Sequence, residues 1–313
     1  AMKNVVIIGG GTGLSVMLRG MKSIPDIGLN AIVTVADDGG STGRLRDSYQ
    51  IPAMGDIRNV MCAMAEEESI FTELMNYRFK GGGDIGGHNL GNLLLLARSE
   101  TIGSFMEAIR TFSRVLKVRG KILPSTLEVV TLYAVMEDGT IVRGEKNIPK
   151  FRNHIDRVFY QRHIRATQEA LQAIRDADLI IYGIGSLYTS IMPNLIIDEI
   201  RNELIANPCR KVYFCNAMSQ PGETDEYSVE DHVDAICRHA FADAVDIVVK
   251  QNNTFSTETL DRYRAEGSAP VELKEDRHRY LVLERDLMQE GSLLIRHDPQ
   301  KVRAVVEEIL RMQ

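Results

Sequence analysis

The most restrictive feature of this chain is its beginning, where the apolar run Asn4 to Ile8 breaks into Gly9-Gly10-Gly11-Thr12-Gly13 and then into helical periodicity from Leu14 to Ile24. A short buried strand that empties through glycines into a helix has few uses outside a parallel α/β sheet. Glycines let the backbone approach an anion, and the start of the following helix supplies free N–H groups and a positive dipole end. A bare βα turn needs fewer glycines. Thr12 adds a hydroxyl donor beside Gly10, Gly11 and Gly13. The loop is neither a P-loop nor a full dinucleotide fingerprint, since no Gly-Lys-Ser/Thr follows and Leu14 stands where the third fingerprint glycine would fall.

The rest of the chain repeats this alternation. A strand over Ala31 to Ala36 completes a βαβ unit, and further strands at Leu179 to Tyr182, Lys211 to Cys215 and Val245 to Val249 are separated by helical segments, one near Ala166 to Arg175. Helical stretches are expected from about Asp56 to Phe79 and from Asn89 to Val118. A hairpin is expected where Leu127 to Glu137 turns through Asp138-Gly139 into Thr140 to Arg143. The last helix, about Pro299 to Met312, is amphipathic and is expected to pack on the sheet. This pattern predicts an α/β fold, a Rossmann-like doubly wound, mainly parallel sheet with helical elaboration. With no repeat, low-complexity tract or linker, the 313 residues read as a single nucleotide-binding domain, with a helical insertion around 56–118 and a β-hairpin around 127–143.

Composition narrows the function classes. A net charge of -6 disfavours a general nucleic-acid binder, which needs a basic field to displace counterions, so any anion site must be local. The longest apolar runs, such as Leu93 to Ala97, fall well short of the roughly 20 residues of a bilayer span. No export signal is evident, and the cytoplasm is the expected compartment. Cys62, Cys209, Cys215 and Cys237 form no C-x-x-C pair and read as small buried apolar residues.

The unusual polar and glycine-rich stretches follow predicted strands, which places them on one edge of a parallel sheet. Asp37-Asp38-Gly39-Gly40-Ser41-Thr42-Gly43 follows the second strand, where an acid in a dinucleotide enzyme grips a ribose hydroxyl. The five small residues beyond the aspartates suit a loop wrapping phosphate or sugar, and Asp37 and Asp38 also suit Mg²⁺ against a diphosphate. Gly55-Asp56-Ile57-Arg58-Asn59 opens a helix with Asp56 as its expected N-cap and Arg58 as a planar anion donor. Gly86-Gly87-His88-Asn89-Leu90-Gly91-Asn92 opens another, with Asn89 and Asn92 one turn apart and both able to face the crevice. The run Gly183 to Asn194 offers Gly185, Ser186, Thr189, Ser190 and Asn194, and a diphosphate contact is expected there. Asn216 to Thr224 places Asn216, Gln220 and Thr224 where base or sugar edges could be read. No hydrolytic triad, H-E-x-x-H or metal-fixing carboxylate pair is present.

Five of these pieces, Ile7 to Ser15, Thr34 to Gly43, Gly55 to Asn59, Gly185 to Ser190 and Gln220 to Thr224, resemble in order the family of YvcK-type gluconeogenesis factors and 2-phospho-L-lactate transferases. Val118 to Thr126 and Ile295 to Asp298 resemble the YvcK-type branch. That resemblance implies a cytoplasmic Rossmann-like protein with nucleotide-diphosphate ligands. It also implies that Tyr263 and Arg296 join the ligand site. The transferase branch moves a phospholactyl-type group from a guanosine diphosphate carrier to a deazaflavin alcohol with Mg²⁺, which would make Asp37, Asp56 and His88 the catalytic candidates. The YvcK-type branch is associated with UDP-sugar binding, UDP-N-acetylglucosamine foremost, and with cell-shape and envelope control on gluconeogenic carbon sources. Two departures stand out. Ile184 occupies a position that is often proline, and Met54 stands where proline commonly precedes Gly55, so both loops lose rigidity but no donor.

Three readings follow: a nucleotide-sugar sensor acting through a regulatory protein partner, a Mg²⁺-dependent transferase, and an NAD-binding oxidoreductase. Homo-oligomer formation stays open in each.

Overall fold

In the computed structural model, which describes residues 2–291 and 294–313, the opening apolar run is strand β1 (Lys3–Gly9), with Val5 to Ile8 wholly buried. Helix α1 (Gly11–Met21) follows at once, and β2 (Ile27–Val33) pairs with β1 in parallel. Then come α2 (Gly40–Tyr49), α3 (Gly55–Met64), α4 (Ile70–Asn76), α5 (Leu90–Ile102), α6 (Phe105–Val115) and strand β3 (Lys121–Pro124). Strands β4 (Tyr133–Met136), β5 (Ile141–Arg143) and β6 (Ile155–Phe159) form a separate antiparallel sheet in the order β5-β4-β6. Alternation resumes with α7 (Gln168–Arg175), β7 (Leu179–Tyr182), α8 (Met192–Leu195), α9 (Asp198–Ala206) and β8 (Arg210–Phe214). It continues through α10 (Val229–His239), β9 (Ile247–Gln251), α11 (Thr257–Ala265) and β10 (Leu281–Arg285). The antiparallel pair β11 (Met288–Glu290) and β12 (Ile295–His297) leads into α12 (Pro299–Arg311).

The central sheet has seven strands in the order β10-β9-β8-β7-β1-β2-β3, all parallel. The chain builds outward from β1 to β3 and then starts again at β7 on the other side of β1. The switch in strand order therefore lies between β1 and β7, the place at whose carboxyl ends ligands collect in open α/β sheets. This is the Rossmann-like architecture that the alternation predicts. Among the described residues, no helix is long and apolar enough to cross a membrane.

Several expectations need correction. The stretch 56–79 is two helices because Ser69 and Thr72 form a reciprocal capping box that restarts the chain at α4. The stretch 89–118 is also two, since Gly103, at φ +75, ends α5 and Ser104 caps α6. The second strand ends at Val33, and residues 40–43 are the first turn of α2 rather than loop. The hairpin begins at Tyr133, not Leu127, and β6 pairs with β4 along its other edge. Edge strands β3 and β10 have no counterpart in the sequence reading; they are short, and Pro124 ends β3. Cys62 and Cys215 are buried, whereas Cys209 and Cys237 are half-buried; all four are free.

The final helix packs chiefly on α1, not on the sheet, through Val302, Val305, Val306 and Ile309. Gly20 makes this possible, because a Cβ there would lie 2.1 Å from the Pro299 carbonyl oxygen. Backbone cannot yield as a side chain can. Gly20→Ala is expected to destabilise the fold by about 1–3 kcal/mol, read as a lower urea midpoint at unchanged slope.

Candidate functional site

Gly10 is the extended residue before α1, and Gly11 adopts φ +71, a conformation that favours glycine. Gly10 has no side chain to cap α1; Asp56 faces the Gly11 N–H, and the amides of Thr12 and Gly13 follow in the same first turn. Neighbouring loops fix this turn from both flanks. The Gly9 carbonyl accepts from Thr34 N at 3.0 Å and from Asn194 Nδ2 at 3.3 Å. A Cβ on Gly13 would meet the Ile184 carbonyl oxygen at 2.5 Å, so α1 starts in contact with the loop after β7. That loop is held in turn by Asn216, whose amide accepts from Gly185 N at 3.2 Å and donates to Gly185 O at 2.8 Å.

On the β7–β8 side of the glycine turn lies a cleft of about 810 Å³. Thr12, Gly13, Gly185, Asn216, Gln220, Tyr263 and Arg296 all line it. These residues come from five separate stretches of the chain. Val16 and Arg19 extend the same face of α1 along the cleft, and the β11–β12 pair forms the far wall. Tyr263 fastens that wall, its hydroxyl accepting from Ile295 N at 2.9 Å. His297 also lines the cleft, with Nε2 unpartnered, and burial holds its pKa down at about 4. Sequence reasoning did not reach Arg19 or His297, since neither sits in a glycine-rich motif.

On the β2 side of the same turn is a group of carboxylates. Asp37, Asp38 and Glu145 bring one oxygen each within 4.8 Å of one another. Glu145 arrives from the loop after β5, whose Lys146 N donates to Asp38 Oδ1 at 2.9 Å. Burial, and then the neighbouring Asp37, push Glu145 up to about 9. Asp56 is next to this group and is not the N-cap of α3; Met54 holds that place, and the Asp56 carboxylate instead faces the Gly11 N–H, which favours its charged form. Burial and Asp37 push Asp56 up to about 7. Gly10 must lack a side chain here, since a Cβ would come 2.9 Å from Asp56 Oδ2 and 2.6 Å from Thr34 Cγ2. Crowded carboxylates that resist ionisation together are suited to a hard divalent cation, and the donor set fits Mg²⁺.

Other expected ligand residues lie behind these walls. Ser41 Oγ pairs with His88 Nδ1 at 2.8 Å and accepts from Asn89 N and from Asn92 Nδ2, while Asn89 Oδ1 caps α5 through Asn92 N. Thr42 Oγ1 also accepts from Asn92 Nδ2, at 3.5 Å. Asn89 and Asn92 are each 1% exposed, so they join α2 to α5 rather than facing the crevice. Burial, then Arg44 and Arg78, hold the His88 pKa below its usual value. Arg58 is buried and donates to Asn59 Oδ1 at 3.1 Å, its Nε unpartnered.

The remaining positions support the loops. Gly39 N donates to Asp37 Oδ1, and Gly40, at φ +53, opens α2 on the surface. Thr189 donates to Glu223 Oε1 at 3.1 Å, and the Ser186 side chain joins the same carboxylate, which burial pushes up to about 7. Ser190 lies beside Gly11. Thr224 is fully buried, and its hydroxyl accepts from Gln220 N.

Comparison with known proteins identifies the family and the fold. The profile of the family described as 2-phospho-L-lactate transferase CofD matches residues 5–288. The gluconeogenesis factor of Bacillus subtilis is 44% identical over 311 residues, covering 98% of each chain. The gluconeogenesis factor of Halalkalibacterium halodurans is 44% identical over 316 residues, covering 98% of this chain and 96% of the relative. A crystal structure of a Bacillus halodurans protein superposes with a TM-score of 0.95 at 42% identity, covering 98% of this chain and 100% of that one. Fold, loop placement and similarity over nearly the whole length lead to one assignment: the chain belongs to the CofD family.

Proposed function

We propose that this chain is a nucleotide-sugar sensor of the gluconeogenesis factor kind, binding a UDP-sugar, with UDP-N-acetylglucosamine foremost, and presenting the bound state to a regulatory partner. The observation that carries this reading is a cleft of about 810 Å³ with Thr12 and Gly13, in the first turn of α1, at one end. A diphosphate needs N–H donors at a helix start, and base and sugar need room beyond it. Thr12, Gly13 and Gly185 would meet the diphosphate, while Asn216, Gln220, Tyr263 and Arg296 would contact sugar and base. We extend the same proposal to cell-shape and envelope control on gluconeogenic carbon sources as the output of such binding.

Thermal unfolding tests this directly. UDP-N-acetylglucosamine at a hundredfold excess over Kd is expected to stabilise the protein by about 2.7 kcal/mol. Arg296→Ala is expected to weaken binding about tenfold or more by removing a charged donor. Absence of any shift with UDP-sugars refutes the sensor reading.

The carboxylate group favours a second reading, Mg²⁺-dependent transfer of a phospholactyl-type group from a nucleotide-diphosphate donor. Asp37, Asp38 and Glu145 would hold the ion, and Asp56, poised near neutrality, would take a proton from an acceptor alcohol. His88 is a weaker candidate, since its Nδ1 is engaged by Ser41. Release of nucleoside mono- or diphosphate with Mg²⁺ and an alcohol acceptor is the assay; no release from any donor removes this reading and leaves the sensor reading intact. An NAD oxidoreductase draws least support, because Asp37, the expected ribose partner, is grouped with Asp38 and Glu145.

A further inference from the structure

A second cavity, of about 650 Å³, lies at the opposite end of the sheet, enclosed by residues of β1, β2 and β3, by α6 and by α7. Asn4 lines it, and Gly9 at the other end of β1 is about 17 Å away at the rise of a strand. Its floor is apolar: Met106 and Ile109 from α6, Ile122 and Leu123 from β3, all buried. Its rim is basic. Arg114, Lys117 and Lys121 are exposed, and among the described residues none of these side chains has a hydrogen-bond or ion-pair partner. Of the two acids in the lining, Glu169 pairs with Arg110, while Asp176 accepts from the neutral Gln172 amide and keeps its charge. Arg110, Arg114, Lys117 and Lys121 against Glu169 and Asp176 leave the cavity lining a net charge of +2 in a chain of net charge -6.

The backbone carrying them is held in an uncommon shape. Lys117 adopts φ +53, which a residue with a side chain seldom does, and Gly120 adopts φ +121. A Cβ on Gly120 would lie 2.4 Å from the Leu29 carbonyl oxygen, so the turn is pressed against β2. The bend fixes Lys117 and Lys121 on the same rim as Arg114.

We propose that this cavity is a second ligand site, for a small organic anion: a carboxylate or phosphate monoester with an apolar body. The charge meets Arg114, Lys117 and Lys121, and the body covers the apolar floor. The volume is that of small-molecule sites, and charge-assisted bonds would anchor the head group. No residue is shared with the nucleotide cleft, so the site stands independently of the proposed function.

Calorimetry and thermal unfolding of the full chain, with phenyl phosphate, octanoate and inorganic phosphate as probes, test it. Binding of either organic probe, at least tenfold tighter than inorganic phosphate, is expected, and the preferred one names the head group. The triple variant Arg114→Gln, Lys117→Gln, Lys121→Gln is expected to weaken that binding tenfold or more while its ligand-free unfolding midpoint stays unchanged; Arg296→Ala leaves it unaffected. Three results overturn the site: no binding of either organic probe at about 5 mM, binding that survives the triple variant, or inorganic phosphate binding as tightly as the organic probes.

Discussion

Gly13→Val is expected to abolish ligand-dependent stabilisation and to lower the stability of the free protein by about 1–3 kcal/mol or more. The new Cβ would lie 2.5 Å from the Ile184 carbonyl oxygen and 2.8 Å from its carbon, and both are backbone atoms of the loop after β7. Relief requires α1 to move away from that loop, which widens the gap where the helix start and Gly185 face the cleft. Gly9→Ala is the matched control, since its Cβ meets only Leu14 side-chain atoms at 3.8–3.9 Å, an ordinary contact. Denaturant titration and nucleotide-sugar titration of both variants read the two effects separately. A Gly13→Val protein that binds like the parent would show that the contact between α1 and the β7 loop does not shape the cleft.

The second large effect concerns acid and cation. Glu145 ionises near 9 in the folded protein against an ordinary 4.5, and Asp56 near 7 against 3.8. Between the unfolded and folded values the native state holds more protons than the unfolded chain, so stability falls as pH rises through that window. In chelator, the melting temperature is therefore expected to decline from about pH 5 to pH 9 through this group. Millimolar Mg²⁺ is expected to flatten the decline by favouring the ionised carboxylates, and to bind more tightly as pH rises. Glu145→Gln is expected to do two things at once: to stabilise the metal-free protein above neutrality and to remove most of the gain from Mg²⁺. Differential scanning fluorimetry across pH, with and without Mg²⁺, checks both signs. A variant that keeps the full Mg²⁺ response places the ion elsewhere.

What the sequence revealed, and what it hid, follows from the range of the interactions. Strand β7 (Leu179–Tyr182) is readable to the residue because four apolar side chains bounded by Asp178 and Gly183 leave no other solution. The glycine turn is equally plain, because its conformational demand is local. Asp37 and Asp38 are visible as acids after a strand, but their companion Glu145 lies 108 residues beyond Asp37 in a turn with no distinctive pattern. Only the docking of a second sheet brings it in. The polar residues Ser41, Thr42, His88, Asn89 and Asn92 mislead for the opposite reason: sequence polarity suggests an open site, yet they are buried and hydrogen-bond across a helix junction, with Asn89 Nδ2 and Asn92 Oδ1 left unpartnered among the described residues. Asp56 looked like a helix cap because acids often are, whereas the nearby Gly11 N–H offers a closer use.

The amides of Asn194 and Asn216 bear on how occupancy could be signalled. By gripping the Gly9 carbonyl and both backbone groups of Gly185, they set the cradle in place before any guest arrives. Those bonds tie the glycine turn to the loops after β7 and β8. Movement on loading would fall to the opposite flap, tethered through Tyr263 and running straight into the carboxy-terminal helix that leans on Gly20. News of a filled cleft would then leave the molecule by its tail.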